Sequence, residues 1–256
     1  MTSESGDRVQ FLVAGVQKGG TTALHAMLQQ VPALSMSWPK ELHFFDDEAV
    51  DWSEPDYVRY EAAWPMDRGG VRGESTPIYI YWPESLARAR RYNPDIKVVL
   101  TFRDPVERAW SQWQMETGRA ADDAPFSWAI REGRSRVANS PNGAHRVYSY
   151  VERGFYGDQL KRALEIFPQR QLLCLRSEDV RTRSRATIAQ VCRFLGVDLT
   201  IEVIPVEAHV GQGAEIPPED GAYLAELYKE DLSRFSSLSG LDVSLWASSG
   251  AGRAAR

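Results

Sequence analysis

The chain has 256 residues, of which 43% are apolar, 11% aromatic and 25% charged, and its formal net charge is −5. This composition excludes intrinsic disorder, because there are enough apolar and aromatic residues to bury a core. The negative balance disfavours general binding to nucleic acid, which needs a basic surface. Two cysteines, Cys174 and Cys192, are too few for a disulfide scaffold, and each lies in an apolar pattern. We therefore expect reduced thiols in a cytoplasmic protein.

Neither end of the chain carries a targeting pattern. The first residues are polar and acidic, whereas a signal peptide would begin with cationic and then apolar residues. No stretch reaches the ~18 consecutive apolar residues of a membrane span, so we expect no membrane association. We predict one domain over residues 8–246, with flexible ends at 1–7 and 247–256.

The first predicted strand covers residues 9–16 and ends in a glycine-rich turn. After the turn, Leu24, Met27, Leu28 and Val31 recur with the spacing of an amphipathic helix. A strand, a glycine turn and a helix in this order form the first half of a parallel β-α-β unit.

A second strand is predicted at residues 96–102, an almost continuous apolar run of the kind buried in parallel sheets. The helix after it begins with a favourable N-cap, Asp104, and with Pro105 at its first position. Glu107 falls three residues after the cap and would complete a capping box.

Further elements follow at shorter intervals. The predicted buried stripe of the helix after Asp104 consists of Val106, Ala109, Trp110 and Trp113. The remaining predictions are a helix at 156–167, a strand at 171–175, and helices at 186–195 and 219–235. This alternation predicts an α/β fold, a single P-loop-like domain with a central parallel sheet flanked by helices.

The glycine turn has the form of a phosphate cradle. Gly15, Gly20 and Thr22 keep the spacing of a P-loop, but Thr21 stands at the lysine position and the loop's lysine is Lys18. Backbone N–H groups at the helix start can still hold a phosphate. A magnesium-bound triphosphate is disfavoured, because the displaced lysine would not reach its terminal phosphates.

A second anion site is predicted after the strand at 96–102. Arg103 lies at the carboxyl end of that strand, where open α/β sheets bind ligands. Ser111 lies about two turns along the next helix, within reach of an arginine folded along it. We predict that guanidinium and hydroxyl grip a phosphate together.

Five stretches of the chain resemble the sulfotransferases that use 3′-phosphoadenosine 5′-phosphosulfate (PAPS). Residues 17–24 are similar to that family's 5′-phosphosulfate loop, and residues 101–111 are similar to its 3′-phosphate motif. The other matching stretches are residues 40–46, 73–77 and 154–156. The resemblance is greatest to the branch with the heparan and other carbohydrate sulfotransferases.

The resemblance implies PAPS as donor, PAP as product and no required metal. It assigns donor contacts to Lys18, Gly19, Gly20, Thr21, Thr22, Arg103, Ser111 and Tyr156. In the region that would close over the 3′-phosphate, lysine, arginine and cysteine are missing. Either backbone N–H groups from Gly211 to Gly213 replace them, or the donor is held more loosely.

The resemblance also implies the catalytic residues. Glu41 stands at the position of the family's general base, and His43 is expected to orient it or to act as the base itself. Both side chains would project to one face of an extended segment. Lys18 and the loop N–H groups would stabilise the leaving phosphate. We expect a raised pKa for Glu41, flanked by Trp38 and Phe44.

The predicted acceptor contacts are Trp38, Asp46 and Ser75. Heparan-type enzymes have a lysine at the position of Ser75, and its loss weakens the case for a polyanionic acceptor. The leading hypothesis is a cytoplasmic sulfotransferase of specialised metabolism that sulfates a hydroxyl or amine of a small molecule. Two alternatives stay open, a P-loop small-metabolite kinase and a non-catalytic module that binds PAPS or PAP. The sequence leaves the acceptor and the oligomeric state undetermined.

Overall fold

The computed structural model describes residues 8–64, 69–206, 215–246 and 248. Gly211, Gly213 and the predicted flexible ends lie outside these ranges, with the exception of Ser248. Within the described ranges, no helix is both long and apolar enough to cross a bilayer.

The chain divides into two compact units. We call them the sheet unit, residues 1–102 and 163–209, and the helical unit, residues 103–162 and 210–256. Each is described by itself below.

The sheet unit contains five parallel strands in the order β2-β3-β1-β4-β5. Their bounds are β1 Phe11–Gly15, β2 Leu34–Met36, β3 Val71–Ser75, β4 Lys97–Phe102 and β5 Leu172–Arg176. Every residue of β1 is buried, as expected for the central strand of a sheet covered on both faces. The carboxyl ends of β1, β3 and β4 therefore lie side by side at one edge of the sheet.

A close contact between β1 and β3 requires glycine at position 73. Phe11 pairs with Gly73, and a Cβ added at Gly73 would lie 2.2 Å from the ring of Phe11. Any side chain at that position would displace the ring, so the register of these two strands depends on the glycine.

The described part of the chain contains ten α-helices. Their bounds are α1 Thr21–Leu28, α2 Tyr57–Glu61, α3 Ser85–Tyr92, α4 Pro105–Gly118, α5 Phe126–Ala129, α6 Ser135–Ala138, α7 Tyr156–Ile166, α8 Ser177–Thr182, α9 Ser184–Leu195 and α10 Pro218–Ser239. The apolar face of α1 packs with β1, β2 and α9 in a buried hydrophobic cluster of the sheet unit.

The predicted α/β class and central parallel sheet are confirmed. The three predicted strands correspond to β1, β4 and β5, with ends within two residues of the predicted ones. The prediction omitted β2 and β3. One of these strands is only three residues long, and the other contains Arg72, Gly73 and Glu74, which are uncommon in buried strands.

The start of α4 differs from the prediction in one respect. The side chain of Asp104 accepts from the Val106 N–H at 2.9 Å, which confirms the predicted cap. The Glu107 carboxylate does not close a capping box. It accepts instead from Arg103 Nε and Nη2 at 3.1 and 3.0 Å.

The predicted buried face of α4 is confirmed for Val106 and Ala109 and wrong for the two tryptophans. Trp110 and Trp113 are only half-buried and stack on each other, with ring centroids 4.9 Å apart. The buried face includes Arg108 and Gln112 instead. The Arg108 guanidinium donates to Gln112 Oε1 at 2.7 Å and to the Tyr150 carbonyl, and these hydrogen bonds offset part of the cost of its burial. Hydrophobic periodicity alone cannot reveal such a partner.

Candidate active site

The glycine loop between β1 and α1 is shaped by its backbone. Lys18 and Gly20 both have left-handed backbone, at φ 69° and 87°. Thr101 Oγ1 donates to the Gly19 carbonyl at 2.7 Å, and the Gly19 N–H donates to the Val16 carbonyl at 2.9 Å. A Cβ at Gly19 would lie 2.5 Å from the Thr101 carbonyl oxygen. The loop therefore packs against the end of β4 so closely that only glycine fits.

The first turn of α1 follows this loop with its N–H groups uncapped by any side chain. Gly20 is the N-cap residue and has no side chain to offer, while Thr21 is buried and Thr22 exposed. The first N–H groups of a helix have no intrahelical partner, and the helix dipole favours an anion there. Half-buried Lys18 precedes this turn and supplies a positive charge to the same loop.

A second loop, residues 38–46, brings the predicted base and its histidine together. His43 Nε2 lies 3.6 Å from Glu41 Oε2. The segment is not extended as predicted, because Glu41 and His43 have left-handed backbone at φ 65° and 54°. Left-handed backbone at non-glycine residues is uncommon and persists where surrounding structure enforces it. The side chains meet through this turn of the backbone, and not through strand alternation.

Asp46 completes a chain of three ionisable groups with these residues. Its carboxylate is fully buried and lies 2.9 Å from His43 Nδ1. The hydrogen bonds to Asp46 and to Glu41 outweigh burial and raise the pKa of His43 to about 9. At neutral pH the imidazole is therefore protonated, a state in which it orients Glu41 and cannot itself accept a proton.

The expectation of a raised pKa for Glu41 was wrong. Burial alone would raise the pKa of this carboxylate, but the hydrogen bond from His43 and the charge and hydrogen bond of Lys40 outweigh it and lower the pKa to about 2. Lys40 Nζ bonds directly to Glu41 Oε1. Lys40 was not predicted as a site residue, although it directly precedes Glu41 in the sequence.

The carboxyl end of β3 contacts the backbone of Glu41. The Glu41 N–H donates to the Ser75 carbonyl at 3.1 Å, and Ser75 Oγ lies 2.9 Å from His25 Nδ1. Burial and the nearby charge of Lys40 lower the pKa of His25 to about 4, so this imidazole is neutral at physiological pH. His25 was not predicted as a site residue. Its place one turn into α1, directly after the anion loop, was the available indication.

Three buried hydroxyl groups surround Glu74, the residue before Ser75. The Glu74 carboxylate is fully buried and accepts from Tyr60 at 2.7 Å, Thr76 at 2.8 Å and Tyr79 at 3.0 Å. Burial raises the pKa of Glu74 to about 7, and the three hydroxyl groups partly offset this rise. This cluster was also absent from the sequence-based predictions.

The three predicted acceptor contacts differ in accessibility. Trp38 is 76% exposed, so its indole is open to a bound molecule. Asp46 and Ser75 are both fully buried, and their polar groups bond to His43 and His25. The geometry thus supports a substrate contact for Trp38 and positioning roles for the other two.

In the helical unit, Arg103 and Ser111 are not joined as predicted. The Arg103 side chain folds along α4 and reaches Glu107, one turn before Ser111. Tyr156 is fully buried, and its hydroxyl donates to the Arg103 carbonyl at 2.9 Å. Tyr156 therefore supports the backbone at Arg103, which is a contact that sequence reasoning had not specified.

The glycine loop and the Glu41 loop lie at the same edge of the sheet unit. The first is suited to an oxyanion and the second to accepting a proton. Together with the central parallel sheet they define an α/β protein of the P-loop-like class with the means for group transfer. A family model described as a sulfotransferase domain matches residues 8–210, and the chain belongs to that family.

Similar proteins agree with this assignment. Human heparan sulfate glucosamine 3-O-sulfotransferase 3B1 is 29% identical over 192 residues, which cover 73% of this chain and 46% of the relative. Human bifunctional heparan sulfate N-deacetylase/N-sulfotransferase 2 is 25% identical over 197 residues, covering 73% and 22%. The chain thus spans less than half the length of these curated relatives.

A sulfotransferase from Alicyclobacillus acidocaldarius has the same fold. Its crystal structure superimposes with a TM-score of 0.80 at 24% identity, over 93% of this chain and 98% of that chain.

Proposed function

We propose that the protein transfers a sulfuryl group from PAPS to a hydroxyl or amine of a small molecule, with Glu41 as general base. The observation that carries the proposal is the chain of Glu41, protonated His43 and buried Asp46. This chain holds an ionised carboxylate in one orientation beside the end of β3.

The glycine loop fits the donor's phosphosulfate end. The start of α1 has no side-chain cap, so its first backbone N–H groups are available to an anion. Gly19, Gly20, Thr21 and Thr22 would hold the oxygens, and Lys18 would stabilise the negative charge that develops on the phosphate. For the 3′-phosphate we propose Arg103 and Ser111, on the motif resemblance alone. When bound, PAPS supplies the sulfuryl group and departs as PAP.

The protonation states divide the catalytic roles. Glu41 is ionised at neutral pH and can take the proton from the attacking hydroxyl or amine. His43 is already protonated, so it serves to orient Glu41 and to stabilise its charge. The same contacts with His43 and Lys40 make Glu41 a weak base, and an acceptor that displaces Lys40 from Glu41 would strengthen it.

The surface beside the Glu41 loop, residues 38–46, favours an acceptor that is neutral or positively charged. Residues 47–56 include five acidic residues and no lysine or arginine, and all five acidic side chains are exposed. Like charges repel a polyanion at this surface. Exposed Trp38 offers a flat apolar face to an aromatic ring or a sugar. We therefore propose a diffusible small molecule of specialised metabolism as acceptor.

We also propose that the protein works in the cytoplasm. Cys174 and Cys192 are both free, and burial raises the pKa of each thiol, to about 12 for Cys174. Unreactive reduced thiols suit a reducing compartment.

The first test is ligand-induced thermal stabilisation. PAP at ~100 times its dissociation constant adds about 2.7 kcal/mol to the unfolding free energy, which raises Tm by roughly 5–10 °C. We expect this shift with PAP alone. A shift with ATP and Mg²⁺ but none with PAP would contradict the proposal and favour a small-metabolite kinase.

The second test is turnover with PAPS and a panel of acceptors. The panel contains phenols, uncharged glycosides, amines and a desulfated heparan oligosaccharide. We expect product from an uncharged or cationic member. PAP binding without turnover of any member would identify a non-catalytic binding module instead.

A further inference from the structure

Glu74 forms the centre of a buried polar cluster that the proposed chemistry does not use. Its carboxylate has no exposed surface, and a buried carboxylate is costly unless hydrogen bonds compensate it. Tyr60 and Tyr79 both donate to Oε1, and Thr76 donates to Oε2. An apolar residue at this position could stabilise the sheet without the desolvation cost of a carboxylate. The buried Glu74 therefore indicates a role other than stability.

Two of the three hydroxyl groups also contact the loop that carries the base. The Tyr79 hydroxyl oxygen accepts from the Phe44 and Phe45 N–H groups at 3.1 and 3.3 Å. The Thr76 hydroxyl oxygen accepts from the His43 N–H at 3.5 Å. These N–H groups belong to the backbone that connects His43 to Asp46.

The direction of these hydrogen bonds depends on the carboxylate. A hydroxyl group has one proton and two acceptor lone pairs. Because Glu74 takes the proton of Tyr79 and of Thr76, the lone pairs of both oxygens are turned towards the N–H groups of the loop. The carboxylate thereby sets the polarity of a hydrogen-bond network that ends on the backbone of His43, Phe44 and Phe45.

Tyr60 provides an internal comparison. Within the described part of the chain its hydroxyl bonds to Glu74 only, and its contact with the loop is made by the ring, which stacks on Phe44 at 4.6 Å. A phenylalanine at this position would keep the ring and lose only the bond to Glu74.

We propose that Glu74 is a positioning residue, which acts through Tyr79 and Thr76 to hold the backbone at residues 43–45 so that His43 spans Glu41 and Asp46. This inference rests on the proposed role of Glu41. It assigns the buried cluster to the orientation of the base, with no direct contact between Glu74 and either substrate.

The decisive experiment compares Tyr79→Phe with Tyr60→Phe. Each substitution removes one hydroxyl group from Glu74 Oε1 and keeps an aromatic ring, so we expect similar decreases in the urea midpoint. Only Tyr79→Phe frees the loop, and a small displacement of catalytic groups lowers kcat by about 10²-fold. We expect that loss for Tyr79→Phe, a change below about threefold for Tyr60→Phe, and unchanged PAP affinity in both.

The pKa of His43, followed by NMR titration of its ring protons, gives a readout that stability does not affect. It should fall in Tyr79→Phe, where the contacts with Asp46 and Glu41 loosen, and should stay near the wild-type value in Tyr60→Phe. Equal effects of the two variants on kcat and on this pKa would overturn the proposal, as would a loss of stability alone in Tyr79→Phe.

A second pair of variants covers the case in which Tyr79→Phe fails to fold. Thr76→Ser keeps a hydroxyl group for Glu74 and for the His43 N–H, whereas Thr76→Val keeps the shape without it. We expect near-normal kcat and His43 pKa in the first and decreases in the second; identical behaviour of the two would contradict the proposal. If the wild-type protein transfers no sulfuryl group, the proposed function fails, and the His43 titrations still decide whether the cluster positions the loop.

Discussion

The glycine loop at residues 16–22 and the Glu41 loop at residues 38–46 achieve left-handed backbone by different means. The glycine loop is held by main-chain hydrogen bonds and by one hydroxyl at the end of β4. The Glu41 loop is held by side chains from β3 and the turn after it, and its own charged groups bond to one another. An anion of fixed charge can be bound by backbone dipoles, whereas a proton acceptor needs side chains whose pKa values are set by neighbours.

The largest expected effect concerns the Glu41 loop and its proposed role as proton acceptor. Glu41→Gln removes the base while keeping the shape of the side chain, and loss of general base catalysis typically costs 10²–10⁴-fold in rate. We expect a decrease of that size in kcat and a normal Tm shift with PAP. Steady-state kinetics with PAPS measure the loss of turnover, and thermal melting with PAP measures binding at the donor site.

Glu230→Gln is the matched control for this substitution. Glu230 is an exposed acid on α10 that belongs to neither loop, and its replacement should leave kcat within about twofold. Normal turnover by Glu41→Gln would remove Glu41 as the base.

The next largest effect concerns the glycine loop and its backbone anion site. In Gly19→Ala the added methyl group would lie 2.5 Å from the Thr101 carbonyl oxygen, so the loop must shift. We expect the unfolding free energy to fall by about 1–3 kcal/mol, as for other overpacked positions, and the PAP-induced Tm shift to disappear. Urea unfolding and thermal melting measure the two effects.

Gly118→Ala provides the comparison, because an added Cβ there meets nothing within 4 Å. It lies at the end of α4, where alanine is the better helix former by up to ~1 kcal/mol. Tight PAP binding by Gly19→Ala would show that the loop does not form the anion site.

The smallest effect concerns pH. Asp46→Asn removes the first cause of the raised pKa of His43, which should fall from about 9 towards its ordinary value of 6.5. In the wild type, the raised pKa means that His43 stabilises the fold fully below pH 6.5 and that this contribution is lost as pH rises to about 9. The variant should show a weaker dependence, because Glu41 alone still raises the pKa of His43. NMR titration of His43 and urea midpoints at pH 6 and 9 test it, and an unchanged His43 pKa would contradict the assigned contact.

The sequence was most informative where a feature is local. The apolar runs of β1 and β4, the glycine spacing and the Asp104 cap each depend on neighbours a few residues apart, and all were predicted. The buried face of α4 was predicted only in part, because burial of Arg108 depends on the carbonyl of Tyr150, about forty residues away. Periodicity predicts which face is apolar, but not which polar group finds a distant partner.

The same distinction separates the site residues. Glu41, His43 and Lys18 lie in motifs that are continuous in sequence. The pKa of Glu41 was predicted in the wrong direction, because its aromatic neighbours in sequence do not decide it and the bonds with His43 and Lys40 do. Glu74 was missed because glutamate is rarely buried, and because one of its three donors, Tyr60, lies 14 residues earlier in the chain.

The position of β1 in the middle of the sheet has a consequence for how the chain is made. This strand is made before the other four strands of the sheet and gains its second neighbour only when β4 follows, roughly 90 residues later. At ~5–20 residues per second, translation leaves the apolar segment Phe11–Gly15 with an open edge for several seconds. Such an edge is a template for pairing with other chains until β4 is made. Because most of the pairing is non-local, refolding from denaturant should also be slow.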